Sequence, residues 1–437
     1  MATGTKMKSE LPFKRISVVG LGYIGLPTAA MFASCKVEVV GVDVNQQTVD
    51  TINQGRINIV EPELDSVVRA VVEDGYLRAV TIPEPADVFL IAVPTPLQGD
   101  KREPDLDFIK SAALAIAPLL EGGNLVILES TSPVGATEMM ADWMSKVRPD
   151  LSFPQDAGAA SDIRIAHCPE RVLPGKVMQE LITNDRVIGG MTPDCSARAI
   201  SLYKMFVSGE CIVASGPRVA EMAKLAENSY RDVNIAFANE LSMICDQLDI
   251  DVWELIPLAN RHPRVDILQP GPGVGGHCIA VDPWFIVSSV PEEANLISVA
   301  RGVNDGKPDW VLRKIQNAIA THKKLNAQRN TGEITVAFYG LSFKRDIDDL
   351  RESPAVSIVR RFISEQSESV VVVEPHICEL PPSLSAARLV SVADARHSEI
   401  HVLLVDHSQF RDIKITDGLF VDTRGIWSSS RSESTGL

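Results

Sequence analysis

Short apolar runs alternate with longer amphipathic stretches over much of the chain. Residues 16–20 (Ile-Ser-Val-Val-Gly) read as a buried strand, followed by a glycine-rich turn and a small-residue apolar run, 28–33, that reads as a helix. Residues 37–42 form a second predicted strand, ending at Asp43. Further strand-like runs lie at 88–93 and 125–128, with helical patterns such as 109–120 between them. Strand–helix alternation implies a parallel sheet with helices on both faces.

The texture changes at Ser215-Gly216-Pro217. Pro217 suits the first turn of a helix, where its missing N–H would be unpaired anyway. No Pro or Gly occurs from Arg218 to Ile256, so one helix of about 50 Å is possible, as is a break near Asp249. A single helix of that length protrudes unless it packs on another subunit, which points to a homodimer; two shorter helices within one domain are the alternative. Residues 262–284 are rich in Pro and Gly and read as an ordered loop, and 293–325 read as another helix. Alternation then restarts with strands at 334–339, 370–373, 401–405 and 419–421 and a helix at 354–363. The predicted fold is α/β: a Rossmann domain over 1–214, a central helical domain over 215–325 and a smaller Rossmann-like domain over 326–437. The Ser-rich tail, 428–437, is expected to be disordered.

Composition narrows the function. The 437 residues carry a net charge of −15, which argues against a general nucleic-acid binder. Residues 1–14 lack the apolar core of a signal peptide, and no run reaches the roughly 18 apolar residues of a membrane helix. The seven cysteines include no CxxC pair, so neither a disulfide framework nor a zinc ribbon is suggested. Reduced thiols in a cytoplasm, no metal and no membrane partner are the expectation.

Gly20-Leu-Gly22-Tyr23-Ile24-Gly25 directly follows a strand and opens a helix. In such a turn the first Gly bends the chain, the second lets backbone approach a pyrophosphate, and the third lets helix and strand pack closely. Asp43 lies at the distance expected of an acid that binds ribose hydroxyls, which favours NAD over NADP. Thr95 and Thr131 lie beyond strand ends, where ligands bind in an open α/β sheet, and Thr137 lies early in the next helix. Each of these threonines is equally readable as a cap or turn residue.

Lys224, Asn228 and Arg231 share one helix face, a donor-rich set able to cradle a developing oxyanion or sugar and phosphate oxygens; a solvated helix face is the alternative. Gly271-Pro-Gly273-Val-Gly275-Gly276-His277-Cys278 follows no strand and is not a second dinucleotide turn. It presents Cys278 at its end, with Asp282 four residues on. A thiolate there would be a strong nucleophile, although a lone Cys is more often a small buried hydrophobe.

These motifs carry a resemblance. The chain resembles the UDP-glucose/GDP-mannose dehydrogenase family along essentially its whole length, on Gly-Leu-Gly-Tyr-Ile-Gly (20–25), Pro-Thr-Pro (94–96), Ser-Thr-Ser-Pro-Val-Gly (130–135), Pro-Glu-Arg (169–171), Lys-Leu-Ala-Glu-Asn (224–228), Gly-Gly-His-Cys (275–278) and Phe-Lys-Arg-Asp (343–346). The resemblance implies two successive NAD-dependent oxidations at carbon six of a nucleotide sugar. Cys278 would hold the aldehyde as a thiohemiacetal and then a thioester, Lys224 and Asn228 would stabilise oxyanions, Asp282 would position Lys224 or a water, and Glu170 would be the base for the hydrolytic water. It further implies that Lys344, Arg351 and Arg424 meet the UDP diphosphate, that Arg171 and Val172 touch the sugar, that Arg231, Gly275 and Phe343 also bind substrate, and that His262 and Arg264 contact substrate near a dimer interface. UDP-glucose enzymes of the family carry Gly-Gly-Ser-Cys followed by an aromatic and Lys-Asp, and Pro-Glu-Phe-Leu. Here the runs are Gly-Gly-His-Cys-Ile-Ala-Val-Asp and Pro-Glu-Arg-Val, which follow the N-acetylhexosamine branch. UDP-N-acetyl-D-mannosamine is the implied substrate, with UDP-N-acetyl-D-glucosamine as alternative. A one-step hydroxyacid dehydrogenase and a non-catalytic NAD-binding protein are the competing readings.

Overall fold

The computed structural model describes residues 12–427 except 58, 60, 62, 100, 101, 174, 277, 328–333, 414 and 416. The expected tail disorder over 428–437, most of the leader reading over 1–14, and His277 lie outside the described residues. By its contacts the chain forms two compact units, residues 1–227 with 284–289 and residues 228–283 with 290–437.

The first unit is built on an eight-stranded sheet. Its strands are β1 (Arg15–Val19), β2 (Glu38–Val42), β3 (Leu77–Val80), β4 (Val88–Ile91), β5 (Leu125–Leu128), β6 (Arg164–His167), β7 (Arg186–Gly190) and β8 (Cys211–Val213). Their order is β8-β7-β6-β5-β4-β1-β2-β3, parallel except where β6 meets β7. The central strands are buried on both faces, as continuous apolar runs require: β4, Val-Phe-Leu-Ile, and β5, Leu-Val-Ile-Leu, have no exposed residue. Three helices bear on the candidate site: α1 (Gly25–Ser34), α2 (Ala136–Val147) and α3 (Pro193–Tyr203). One core, including Ile16, Val18, Leu26, Phe32 and Tyr203, covers one sheet face, and a second, including Phe89, Ile91, Ile109 and Met140, covers the other.

The long helix α4 (Pro217–Gln247) has 31 residues, about 46 Å. It stops where the sequence allowed a break: Asp249 takes φ 54°, and α5 (Val252–Ala259) restarts with Asp251 accepting from the Trp253 N–H. The central region continues through α6 (Asp282–Ser289) and α7 (Asn295–Leu325). In the second unit, β9 (Thr335–Tyr339), β10 (Ser369–Val373), β11 (Arg388–Leu389), β12 (Ile400–Leu403) and β13 (Leu419–Asp422) form a parallel sheet ordered β11-β10-β9-β12-β13. Helix α8 (Pro354–Glu365) begins at a Ser353 cap and packs Ile358, Val359 and Phe362 onto this sheet beside Val311 and Ile315 of α7. The expected α/β architecture, two parallel-sheet regions with helices between them in sequence, is present.

Candidate active site

The dinucleotide turn is built as its glycines require. Gly20 takes φ 94° and donates its N–H to Val42 O at 2.8 Å; a side chain there would lie 2.7 Å from Ala92 O. At Gly25 a Cβ would fall 1.8 Å from Gly20 O, so α1 can pack on the turn only without one. Around Gly22 nothing lies within 4 Å of the same position, which leaves space beside bare backbone. No side chain caps α1; Pro27 has no N–H and the Leu26 N–H is donated to Gly22 O at 3.1 Å, so the helix start offers an anion the positive end of its dipole and the bare backbone of the turn rather than a row of free donors. Tyr23 and Ile24 are half-buried on this turn. Asp43 accepts the Leu21 N–H at 3.1 Å and the Asn45 N–H at 2.9 Å, fixing its carboxylate at the end of β2 beside the turn. Beyond β4, the buried Thr95 hydroxyl has no hydrogen-bond partner among the described residues. Bare backbone for a pyrophosphate, an acid for ribose hydroxyls and an orphaned hydroxyl fit NAD.

Thr131, half-buried, lies in the segment after β5. Thr137 is fully buried, and its hydroxyl is donated to Glu221 at 2.6 Å. Glu221 also accepts the N–H groups of Gly135 (2.6 Å) and Thr137 (2.8 Å), so a carboxylate from α4 already caps α2. Burial pushes the Glu221 carboxyl above its ordinary value.

Beyond β5 and β6 lies a buried ionic cluster that sequence reasoning missed. Glu170 is 6% exposed; it accepts from the Arg186 guanidinium and from the Arg171 N–H at 2.7 Å. Arg186, 2% exposed on β7, also faces Glu129 at 3.8 Å and stacks 4.9 Å from the Tyr203 ring centre. Tyr203 donates its hydroxyl to Glu129 at 3.0 Å. Burial, then the charge of Glu170, raises the Glu129 carboxyl to about 7 against the opposing pull of Arg186 and Tyr203. Two carboxylates thus share one cation, and Glu170 holds the closer pairing. The signal was weak in sequence, because Arg186 opens a short strand and its partners lie 16 and 57 positions away. Arg171 is clamped by Glu227, at 2.6 Å and 3.1 Å, and Val172 packs on the core. Glu227 stood inside the Lys224–Asn228 motif and was legible there. Lys224 is half-buried on α4, and Arg231 is exposed.

In the second unit, Cys278 is exposed, one of only two exposed cysteines with Cys378. Its carbonyl accepts the N–H groups of Val281 (3.1 Å) and Asp282 (2.9 Å), so the glycine loop runs straight into α6. Asp282, 3% exposed, accepts the Asn228 side-chain amide at 2.5 Å. The sequence expectation put Asp282 beside Lys224 or a water; in the structure Asp282 holds the Asn228 amide. The loop is pressed against the start of α8: a Cβ on Gly275 would meet Glu352 O at 2.5 Å and Phe343 Cβ at 3.0 Å. A Cβ on Gly271 would meet Arg424 at 2.5 Å.

The predicted cations lie near the carboxyl edge of the second sheet. Lys344 is half-buried in the loop after β9. Arg351 makes a two-pronged pair with Asp349 at 2.9 Å and 2.6 Å, an exposed contact worth at most about 1 kcal/mol and exchangeable for phosphate oxygens. Arg424 is paired with Asp406 at 2.6 Å. His262 and Arg264 are exposed in the turn after α5, where the Arg264 N–H donates to His262 Nδ1 at 3.4 Å.

Comparison with known proteins fits this arrangement. The UDP-glucose/GDP-mannose dehydrogenase family matches in three parts: its NAD binding domain over residues 14–207, its central domain over 218–306 and its UDP binding domain over 337–429. A UDP-N-acetyl-D-mannosamine dehydrogenase of Yersinia pestis is 62% identical over 424 residues, covering 95% of this chain and 100% of its own. An NDP-N-acetyl-D-galactosaminuronic acid dehydrogenase of Ralstonia nicotianae is 60% identical over 426 residues, covering 97% of this chain and 98% of its own. Among solved structures, a UDP-D-ManNAc dehydrogenase from Pyrococcus horikoshii matches with a TM-score of 0.82 at 36% identity, over 94% of this chain and 96% of that one. The chain belongs to the UDP-glucose/GDP-mannose dehydrogenase family and is an NAD-dependent nucleotide-sugar dehydrogenase.

Proposed function

We propose that this protein oxidises carbon six of UDP-N-acetyl-D-mannosamine to the carboxylate, giving UDP-N-acetyl-D-mannosaminuronate, with Cys278 carrying the intermediate. The observation that carries the reading is an exposed thiol at the end of a glycine loop, immediately before the buried Asp282–Asn228 pair. The full-length likeness to a mannosamine enzyme supports the choice of sugar.

Bound NAD supplies the hydride acceptor for each of the two oxidations. The Cys278 thiolate adds to the carbon-six aldehyde, forming a C–S bond and an oxyanion that is protonated to a thiohemiacetal. Loss of that carbon's hydride leaves a thioester, and water breaks the C–S bond to release the acid and the thiolate. One water is consumed and two NADH form per sugar. Lys224 and the Asn228 amide, whose orientation Asp282 fixes, donate to the oxyanions. Glu170 takes the proton of the attacking water. Lys344, Arg351 and Arg424 bind the diphosphate. Arg171, Val172, Arg231, Gly275 and Phe343 line the sugar site, with His262 and Arg264 reaching substrate beside a subunit interface.

A homodimer fits the surface of α4, where Tyr230, Phe237 and Ile244 recur every seven residues and are 72%, 56% and 46% exposed. No helix among the described residues is long and apolar enough to cross a membrane. We place the protein in the cytoplasm, where Cys278 stays reduced.

The likeness to the galactosaminuronic acid enzyme favours a second reading, in which another N-acetylhexosamine is the substrate. Incubation with NAD and UDP-linked N-acetylmannosamine, N-acetylglucosamine, N-acetylgalactosamine and glucose tests both. The expected result is two NADH per UDP-N-acetylmannosamine and the highest kcat/KM for that sugar. A higher kcat/KM for another hexosamine overturns the sugar assignment, and one NADH with accumulating aldehyde overturns the chemistry.

A further inference from the structure

The second sheet repeats the dinucleotide turn of the first, with one change. Gly340 takes φ 89° and donates its N–H to Val373 O at 2.9 Å, as Gly20 does to Val42. At the end of the second strand Glu374 stands where Asp43 stands. It accepts the N–H of Leu341, the residue after the glycine, at 2.7 Å, and the N–H of His376, two residues on, at 3.1 Å. Asp43 makes the same two bonds, with Leu21 and Asn45. In a dinucleotide turn an acid so placed binds ribose hydroxyls.

Glu374 cannot do that here, because a side chain from the segment after β12 covers it. His407, fully buried just beyond β12, places Nε2 at 3.1 Å from Glu374 Oε2. Its other nitrogen, Nδ1, accepts the Asp346 N–H at 2.9 Å, so Nε2 carries the proton and donates to Glu374. Asp346 sits at φ 60° and accepts in turn from the Ser408 N–H (2.8 Å) and hydroxyl (2.6 Å). Ser342 donates its hydroxyl to Lys344 O at 2.6 Å. Burial would raise the Glu374 carboxyl, but His407 and the surrounding N–H groups outweigh it and hold it below the ordinary value. Asp346, His376 and His407 bring ligand atoms within 4.8 Å of one another. Both ring nitrogens of His407 are committed, however, so a metal would have to break an existing bond.

We propose that Glu374 and His407 are a positioning pair: His407 occupies the ribose seat of a dinucleotide-type turn and thereby holds loop 341–351, with Lys344 and Arg351, in the form that receives the substrate's diphosphate. The inference rests on the reading of Lys344 and Arg351 as diphosphate ligands. It explains how one turn geometry serves two ligands. In the first sheet the acid is left open to bind a ribose; in the second the protein's own imidazole satisfies it, and the rigid loop becomes the binding element.

The test uses full-length protein saturated with NAD, titrated calorimetrically with UDP and assayed with the UDP-sugar. The variants are His407→Gln, which keeps a donor toward Glu374 but loses the acceptor for Asp346, and the milder, exposed Ser408→Ala. His407→Gln is expected to weaken UDP binding and raise the UDP-sugar KM by about tenfold or more, with the NAD KM within about twofold. Ser408→Ala should act in the same direction by about two- to fivefold. Amide exchange should rise in loop 341–351 while β9 and β10 stay protected. Unchanged UDP affinity in both variants overturns the pair, and so does a rise in exchange across the whole sheet or an equal rise in both KM values. Absence of UDP binding in the unaltered protein overturns the diphosphate reading itself, and with it this inference, and is distinguished by that control.

Discussion

Replacing Glu129 by Gln isolates the cost of a second buried carboxylate beside Arg186. Glu129 is 1% exposed, and its carboxyl is raised from 4.5 to about 7, first by burial and then by the charge of Glu170. A folded-state value above the unfolded one means that the native protein holds this proton more tightly. The associated stability is complete below about pH 4.5 and is lost as the pH climbs through about 7. At about 1.4 kcal/mol per pH unit, the full loss is about 3 kcal/mol by pH 8. Gln is neutral at every pH and can still accept the Tyr203 hydroxyl, which lies 3.0 Å from the present carboxylate. Part of that loss has already occurred by pH 5, so the variant should gain on the natural protein by about 2 to 3 kcal/mol between pH 5 and pH 8, whatever constant offset the substitution brings. Hydrogen exchange of slowly opening amides in β5–β7, measured at both pH values, reads this difference for the first unit alone. A difference that is independent of pH, or one that favours the natural protein more strongly at pH 8, would refute the assignment of Glu129 as the neutral member of the cluster.

Two further substitutions separate binding from folding. Gly22→Ala meets nothing within 4 Å, so the thermal midpoint should hold within about 2 °C while the NAD KM rises about tenfold or more; an unchanged NAD KM would remove Gly22 from the pyrophosphate seat. Gly25→Ala drives a Cβ to 1.8 Å from Gly20 O and should lower the midpoint sharply even without ligand, which a melting curve reports. On α4, Phe237→Glu puts a charge at the middle of the apolar row Tyr230–Phe237–Ile244 and should shift the protein to monomers in light scattering; an unaltered mass would place the subunit contact elsewhere.

What was legible in the sequence followed from local chemistry. The central strands are apolar on both faces and carry their own signal, and Gly20, Gly22, Gly25 and Asp43 state a turn whose geometry the structure reproduces. The break after Gln247 was foreseen as an option, since Asp tolerates a left-handed φ better than its apolar neighbours. Four strands of the first sheet escaped notice because they are short or carry charge: Leu77–Val80 has an Arg at its second position, Arg164–His167 and Arg186–Gly190 begin with a charge, and Cys211–Val213 has three residues. Glu129, Arg186, Glu221 and the Glu374–His407 pair escaped for another reason. Their partners are brought together only by sheet order, and a lone charged residue in sequence reads as surface.

The central claim is that Cys278 carries the sugar between the two oxidations. It is tested most directly by following NADH and carboxylate together, from UDP-N-acetylmannosamine, for the natural protein and Cys278→Ser. The account predicts two NADH per acid for the natural protein, and for the variant a loss of acid formation of about a thousandfold or more. Acid produced by Cys278→Ser at near the natural rate would contradict it.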